Sequence, residues 1–435
     1  MLGLLIKNGL VYVDNKFQKL NIGITGERIS YLGKEEPESK DFYDASNKKI
    51  IPGLIDPHVH FELYCGTITS RDDFYSGGKS AALGGVTTII DFLDPTRNAE
   101  ELEKSFYKRL EVAKKCPVDY HFHACIRCPN GDLEQYVLKT LELGMRSIKL
   151  FTTYSETERR TEDKDIIELL KLSKKYDFIV EAHIENDNMI NHDESLKCTD
   201  ISEARNSECE TSEALKLCKF AVETNGHLYM VHCSSGYTLE KIVKQFGPYL
   251  NKNIFIESCP QYFALNKEVL KGENGYLYTF APPLRSEEER RLMCVNIDNV
   301  YSIGTDHCSF TSSDKKSRPL LKGHPLGIGG IENSYQVMHK LFGDKIISKM
   351  CENTAKVQKF AEKNGILIGN YADLVVIEDS DGLIGKPHGN VDYSVYEKME
   401  YDQRIISTLL RGKFIVKNGV FIDNVGRLIN CDYKI

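Results

Sequence analysis

The chain has 435 residues, a formal charge of −7 and no basic run, which argues against a nucleic-acid surface, and no apolar stretch approaches the ~18–20 residues of a membrane span. Hydrophobic residues at 41% and charged residues at 27% describe a soluble globular protein with a large core. Lys7 interrupts the N-terminus too early for a signal peptide, and the thirteen cysteines follow no framework spacing, so reduced thiols and a cytoplasmic location are expected.

In chain order, the first fifty residues read as short strands joined by turns. LLIKNGLVYV carries an Asn-Gly hairpin signal, and NIGITGERISYLG follows with its own glycine-centred turn. From residue 51 the rhythm changes to apolar, β-branched runs separated by helical patterns of roughly 10–20 residues. Eight such runs follow one another: 50–60, 86–92, 119–126, 147–151, 178–185, 227–234, 254–260 and 301–308. Between them lie helix candidates such as AEELEKSFYKRLEVAKK and DIIELLKLSKKY. Eight strand–helix units predict an α/β fold, a (β/α)8 TIM barrel over residues 51–364. A doubly wound open sheet is the rival, but no GxGxxG turn supports it. A long helical stretch is expected over 333–363, after which strands return in ILIGNYADLVVIED and RIISTLLRGKFIVKNGVFI. Residues 1–50 and 365–435 are therefore expected to form one small β-sandwich domain, leaving the chemistry to the barrel.

In such a barrel the functional residues sit at the C-terminal ends of the strands. His58 and His60 alternate with Pro57 and Val59, so in an extended backbone both imidazoles share one face, about 6.5–7 Å apart, a workable bite for one divalent metal. The later strand ends add Lys149 on strand 4, His183 on strand 5, His232 on strand 6 and Asp306 on strand 8. Taken singly, each has a bland reading: a histidine can be a hydrogen-bonded rim residue, and Asp306 can cap the next helix. Lys149 in SIKLF is harder to dismiss, because a buried unpaired ammonium is costly; either it meets a carboxylate or it is not an ammonium. Together the six point to a metal site.

Other signals carry less. His121 and His123 form a second His-x-His near a strand centre, without converging carboxylates, and read as interior packing or support for a ligand. Cys125 and Cys128 have metal or redox spacing but no second pair, Cys308 is not needed as a nucleophile, and the glycines at 327–330 follow no phosphate-binding turn. No tryptophan occurs, and the 23 tyrosines and 19 phenylalanines are core material.

The stretches PGLIDPHVHFE, GTITSRDDFYSGGKSAALGGVTTIIDF, SIKLFTTY, EAHIEN, VHCSS, ESCPQYF, APPLRSEEE and GTDHCSF give the chain a resemblance, along essentially its whole length, to the amidohydrolase superfamily. Within it the chain resembles the cyclic amidohydrolases, among them hydantoinase, dihydropyrimidinase, allantoinase and dihydroorotase. The resemblance implies two zinc ions per subunit. His58, His60 and Asp306 would hold the more buried ion, His183 and His232 the more exposed one, and a carboxylated Lys149 would bridge them. It further implies that a metal-bridging hydroxide attacks a ring carbonyl, that Tyr154 polarises that carbonyl, and that Asp306 carries the proton to the leaving nitrogen.

The run from 66 to 92 is most similar to hydantoinases and dihydropyrimidinases, so a dihydropyrimidine or 5-substituted hydantoin is the expected substrate. Allantoin, dihydroorotate and a non-enzymatic scaffold role are the alternatives. Glu62 stands where dihydroorotases carry an arginine, and would repel a substrate carboxylate; nothing in the sequence points to a compensating arginine. Two positions depart from the hydantoinase pattern, Ala281 in place of a serine and Leu326 or a neighbour in place of an asparagine, both at ring contacts made through the backbone. The loops around 63–68 and 155–163 are expected to read the exocyclic substituent. A homotetramer is the assembly that the resemblance implies.

Overall fold

The eight apolar runs become eight parallel strands of a single sheet: Leu54–Val59 (β1), Val86–Phe92 (β2), Asp119–Cys125 (β3), Ser147–Phe151 (β4), Ile179–His183 (β5), Leu228–Met230 (β6), Ile254–Ser258 (β7) and Ser302–Ile303 (β8). Each pairs with the next in chain order. The first and last then meet. Val59 bridges His307, just beyond β8, and the His60 amide donates to the His307 carbonyl at 2.8 Å. Every residue of β2 and β3 is buried, as expected of parallel strands covered on both faces. The expected barrel is what forms. The structure is a computed structural model describing residues 1–431. Among these residues no helix is long and apolar enough to cross a membrane, and no disulfide links any described cysteine.

Helices Phe74–Leu83 (α1), Ala99–Ala113 (α2), Leu133–Glu142 (α3), Asp163–Tyr176 (α4), Ser207–Thr224 (α5), Gly236–Phe246 (α6), Glu287–Val295 (α7) and Ser334–Phe342 (α8) follow the eight strands in turn. Six of these eight starts, all but those of α4 and α8, are marked by capping side chains that satisfy otherwise unpaired amides. Asp73 accepts from the Tyr75 and Ser76 amides at α1, and Ser286 and Glu289 form a reciprocal box at α7.

Both chain ends contribute two further sheets. Leu2–Lys7, Asn21–Thr25, Arg28–Gly33 and Ser39–Asp44 make one of four strands. Lys49–Pro52, Leu10–Val13 and Lys16–Lys19 join Leu374–Leu383, Glu400–Leu410, Lys413–Lys417 and Val420–Phe421 in a sheet of seven. Period-two alternation lets this larger sheet serve two cores. Ile50, Leu374 and Val376 pack toward the four-stranded sheet, while Ile51, Val375 and Ile377 pack with the barrel. Only Gly53 separates Lys49–Pro52 from β1, so the sandwich hands the chain directly to the strand that carries His58.

Three local expectations fail for identifiable reasons. Asn8-Gly9 does not close a hairpin: Leu2–Lys7 pairs with Asn21–Thr25 and Ser39–Asp44, and the chain crosses to the other sheet at this point. The hairpin lies one turn later, at Asp14-Asn15, where both residues adopt positive φ. The stretch 333–363 is not one long helix, because Gly343 at φ 65° ends α8 and short helical turns follow. Strands 6 and 8 are shorter than their apolar runs, since the chain leaves the extended region at His232 (φ 41°) and Asp306 (φ 52°).

Candidate active site

At the C-terminal mouth of the barrel, β1 holds His58 at full burial and leaves His60 partly open. Their Nε2 atoms stand 3.2 Å apart, and Asp306 Oδ1 lies 3.2 Å from the first and 3.1 Å from the second. Asp306 is not a helix cap; Thr311 caps the following Ser312–Lys316 turn. His58 Nδ1 donates to Glu257 Oε1 at 2.8 Å, which fixes the tautomer and leaves the Nε2 lone pair facing its two neighbours. Burial holds the His58 imidazole well below its ordinary pKa, in the neutral form that ligates metals. The Asp306 carboxyl is pushed up by burial, but His58 and His60 more than offset this and keep it below its ordinary value. Asp56, in turn, accepts from the amide and hydroxyl of Thr305 and from the His58 amide, pinning β1 to the segment that presents Asp306.

The second pair of imidazoles lies alongside. His183 ends β5 and His232 follows β6 by two residues, with ring centroids 4.6 Å apart and the His232 ring 5.3 Å from that of His58. His183 Nε2 donates to Glu185 Oε2 at 2.6 Å, leaving Nδ1 available. Lys149 Nζ sits 4.7 Å above both the Phe92 and the Phe151 rings. Phe92 flanks His58 and His60, and Phe151 flanks His183, so the amine lies between the two halves. Nζ makes no hydrogen bond or ion pair with a described residue, and burial lowers its pKa. Nearby, burial lifts the carboxyls of Glu181 and Glu257 to about 8. Four imidazoles, a carboxylate and a buried unpaired amine suit divalent cations by donor chemistry, and three of the donors already fall within 4.8 Å of one another.

The model of the amidohydrolase family matches residues 50–415. The chain belongs to the amidohydrolase family. A D-phenylhydantoinase of Escherichia coli O81 (strain ED1a) is 28% identical over 97% of this chain and 96% of its own length. A D-hydantoinase of Geobacillus stearothermophilus is 29% identical over 97% of the chain and 94% of its own. Among solved structures, a D-hydantoinase superposes with a TM-score of 0.92 at 27% identity, covering 99% of this chain and 98% of that one. A dihydropyrimidinase from Brevibacillus agri NCHU1002 gives 0.93 at 25% identity, with full coverage of both.

In this amidohydrolase Tyr154 follows β4 in a left-handed conformation (φ 67°), its ring 5.3 Å from that of His183. Burial raises its hydroxyl to about 12, while Arg205, stacked 4.9 Å from the ring centroid, pulls the other way. Tyr154, His232 and Asp306 thus all hold a backbone conformation uncommon for non-glycine residues, as strained functional positions often do. Ala281 is half-buried at a cis bond to Pro282. Its neighbourhood is tied to the segment before Leu326 by Lys315, whose buried Nζ donates to the Thr279 carbonyl at 2.6 Å, the Thr279 hydroxyl at 3.0 Å and the Pro325 carbonyl at 3.1 Å. Burial takes this ammonium down to about 7.

His121 and His123 stay out of the cluster. His121 Nδ1 donates to the Ile429 carbonyl and His123 Nε2 to that of Pro57, although His123, contrary to the expectation of no carboxylate nearby, has Glu181 Oε1 at 3.2 Å. Sequence reasoning missed the supporting acids. Glu257 binds His58, the Tyr229 hydroxyl and the His232 amide, and Glu185 binds His183 and Arg205. Their signal was present as Glu two residues after His183 and as the single glutamate of IFIESCP, but neither spacing names its partner.

Proposed function

We propose that the chain hydrolyses a cyclic amide or imide ring of the dihydropyrimidine or 5-substituted hydantoin type, using two zinc ions per subunit. Membership of the amidohydrolase family and the hydantoinase-like relatives support the class of reaction. The observation that carries the site is the convergence of His58, His60 and Asp306 beside the His183–His232 pair, with an unpaired Lys149 between them. His58, His60 and Asp306 would hold one ion, His183 and His232 the other. Lys149 would bridge the two as a carbamate, formed when its neutral amine adds to the carbon of carbon dioxide and gives up a proton.

When bound, the ions would supply Lewis acidity at the ring carbonyl and a water with its pKa lowered from ~15.7 to about 7. The protein's own groups then act as follows. Asp306 takes up the proton of the attacking water and returns it to the leaving ring nitrogen, a general acid–base contribution of ~10²–10⁴-fold. Tyr154, protonated at neutral pH, donates to the carbonyl oxygen as charge develops there, with Arg205 holding its ring. The backbone around Ala281 and Leu326 orients the ring. The chemistry belongs to residues 51–364, with 1–50 and 365–435 in support, in a cytoplasmic homotetramer.

The test is a turnover panel of dihydrouracil, hydantoin, allantoin and dihydroorotate with zinc and bicarbonate present, alongside elemental analysis of freshly purified protein. Ring opening with zinc near two per chain is expected. Zinc near zero and no turnover would place the chain among non-enzymatic scaffolds. Unmodified lysine by intact mass, in fully active zinc-loaded protein, would remove the carbamate.

A further inference from the structure

Beyond Tyr154 the chain folds back on itself. The Arg159 amide donates to the Tyr154 carbonyl at 3.1 Å, the Thr161 amide donates to the Phe151 carbonyl at 2.8 Å, and Arg160 bridges Phe151. This turn lays the half-buried Arg159 guanidinium over the Phe151 ring, with Cζ 6.0 Å from the centroid. The same ring lies 4.7 Å from Lys149 Nζ, 5.8 Å from the His183 ring and 5.9 Å from that of Tyr154. The charge of Arg159 also reaches Cys65, on the loop after β1, and Tyr154. Arg159 therefore stands beside the ring that flanks Lys149, His183 and Tyr154, at the edge of the candidate metal cluster.

Its neighbours are engaged and it is not. Glu158 pairs with Arg97 and lies 3.7 Å from Arg127, Arg160 faces Glu162 at 3.5 Å and Asp187 at 3.7 Å, and Arg205 is bound to Glu185. The Arg159 guanidinium has no hydrogen bond or ion pair with any described residue. A planar, always-charged fork held beside the cluster without an acceptor is matched by a carboxylate. The charge that argued against such a ligand, Glu62, sits 3.5 Å from Lys115, a cation that it shares with Asp73 at 2.7 Å.

We propose that Arg159 sets substrate specificity by binding an exocyclic carboxylate, making a ring that bears such an anion the preferred substrate over its neutral parent. This rests on the ring-opening reading. The test compares kcat/KM of zinc-loaded protein on dihydroorotate and hydantoin-5-acetate with that on dihydrouracil and hydantoin, in wild type, Arg159→Met and Arg159→Lys. The carboxylated rings are expected to be the better substrates, and the anionic-to-neutral ratio to fall by ~10–100-fold in Arg159→Met, mainly through KM. Arg159→Lys should recover part of it. A wild-type ratio at or below one, or a ratio that Arg159→Met leaves untouched, overturns the inference while ring opening stands. Turnover of none of the four overturns ring opening instead. Calorimetric binding of N-carbamoyl-aspartate against N-carbamoyl-β-alanine then decides the inference: tighter binding of the diacid, lost in Arg159→Met, supports it, and equal affinities overturn it.

Discussion

The two halves of the candidate metal cluster are built differently. His58 and His60 come from one strand, two residues apart, and meet Asp306 with all three donors already gathered around one point. His183 and His232 come from two neighbouring strands and, among the described residues, have no carboxylate of their own to close the set, since Glu185 is taken up behind His183. The first half is complete in the unmodified protein. The second needs a third donor, and the unpaired Lys149 is the group placed to become one.

That contrast can be broken in graded steps. The largest effect belongs to Asp306→Ala, which removes a donor and the proton carrier together: turnover should fall by at least ~10²–10⁴-fold, with circular dichroism unchanged. Wild-type rates in this variant would dissolve the assignment. Lys149→Ala should cost the second half its ion while sparing the first, halving zinc by elemental analysis, with activity partly restored by short carboxylic acids. Replacing the supporting acids separately, Glu257→Gln and Glu185→Gln should each weaken zinc binding by ~10–100-fold, read by chelator competition. Only the Glu257 change should be felt at the half that is already complete.

The smallest effect tests the frame around the halves. Lys315 titrates near 7 in the folded chain and near its ordinary value when unfolded, so between these the unfolded state binds the extra proton and stability rises with pH. From pH 7.5 to 9 wild type should gain about 1–2 kcal/mol relative to Lys315→Met in urea titrations. Parallel pH profiles would mean that the lysine keeps its charge inside.

The barrel was legible because parallel strands buried on both faces must be nearly continuous apolar runs, and eight of them recur with helical spacers. The His58–His60 pair was legible from alternation alone. What could not be read were partnerships across strands: His58 and Glu257 lie 199 residues apart, and no local pattern links them. Strand ends at His232 and Asp306 were misjudged because left-handed residues there carry no glycine to announce them. Asn8-Gly9 failed for the opposite reason: a strong turn signal was overruled by pairing elsewhere. Arg159 was invisible as a candidate, since only the folded-back loop brings it over Phe151.

The seam between β1 and β8 has a consequence for how the protein is made. The donors that straddle it are His58, His60 and Asp306, and the backbone contact that closes it runs from His60 to His307. A ribosome adding ~5–20 residues per second needs roughly 12–50 s to travel from one side of the seam to the other. Throughout that interval the nascent chain has the two histidines of β1 but not the aspartate that meets them. On the proposed reading, a three-donor cation site at the first half would form only at the end of synthesis, after the last strand has arrived to shut the ring.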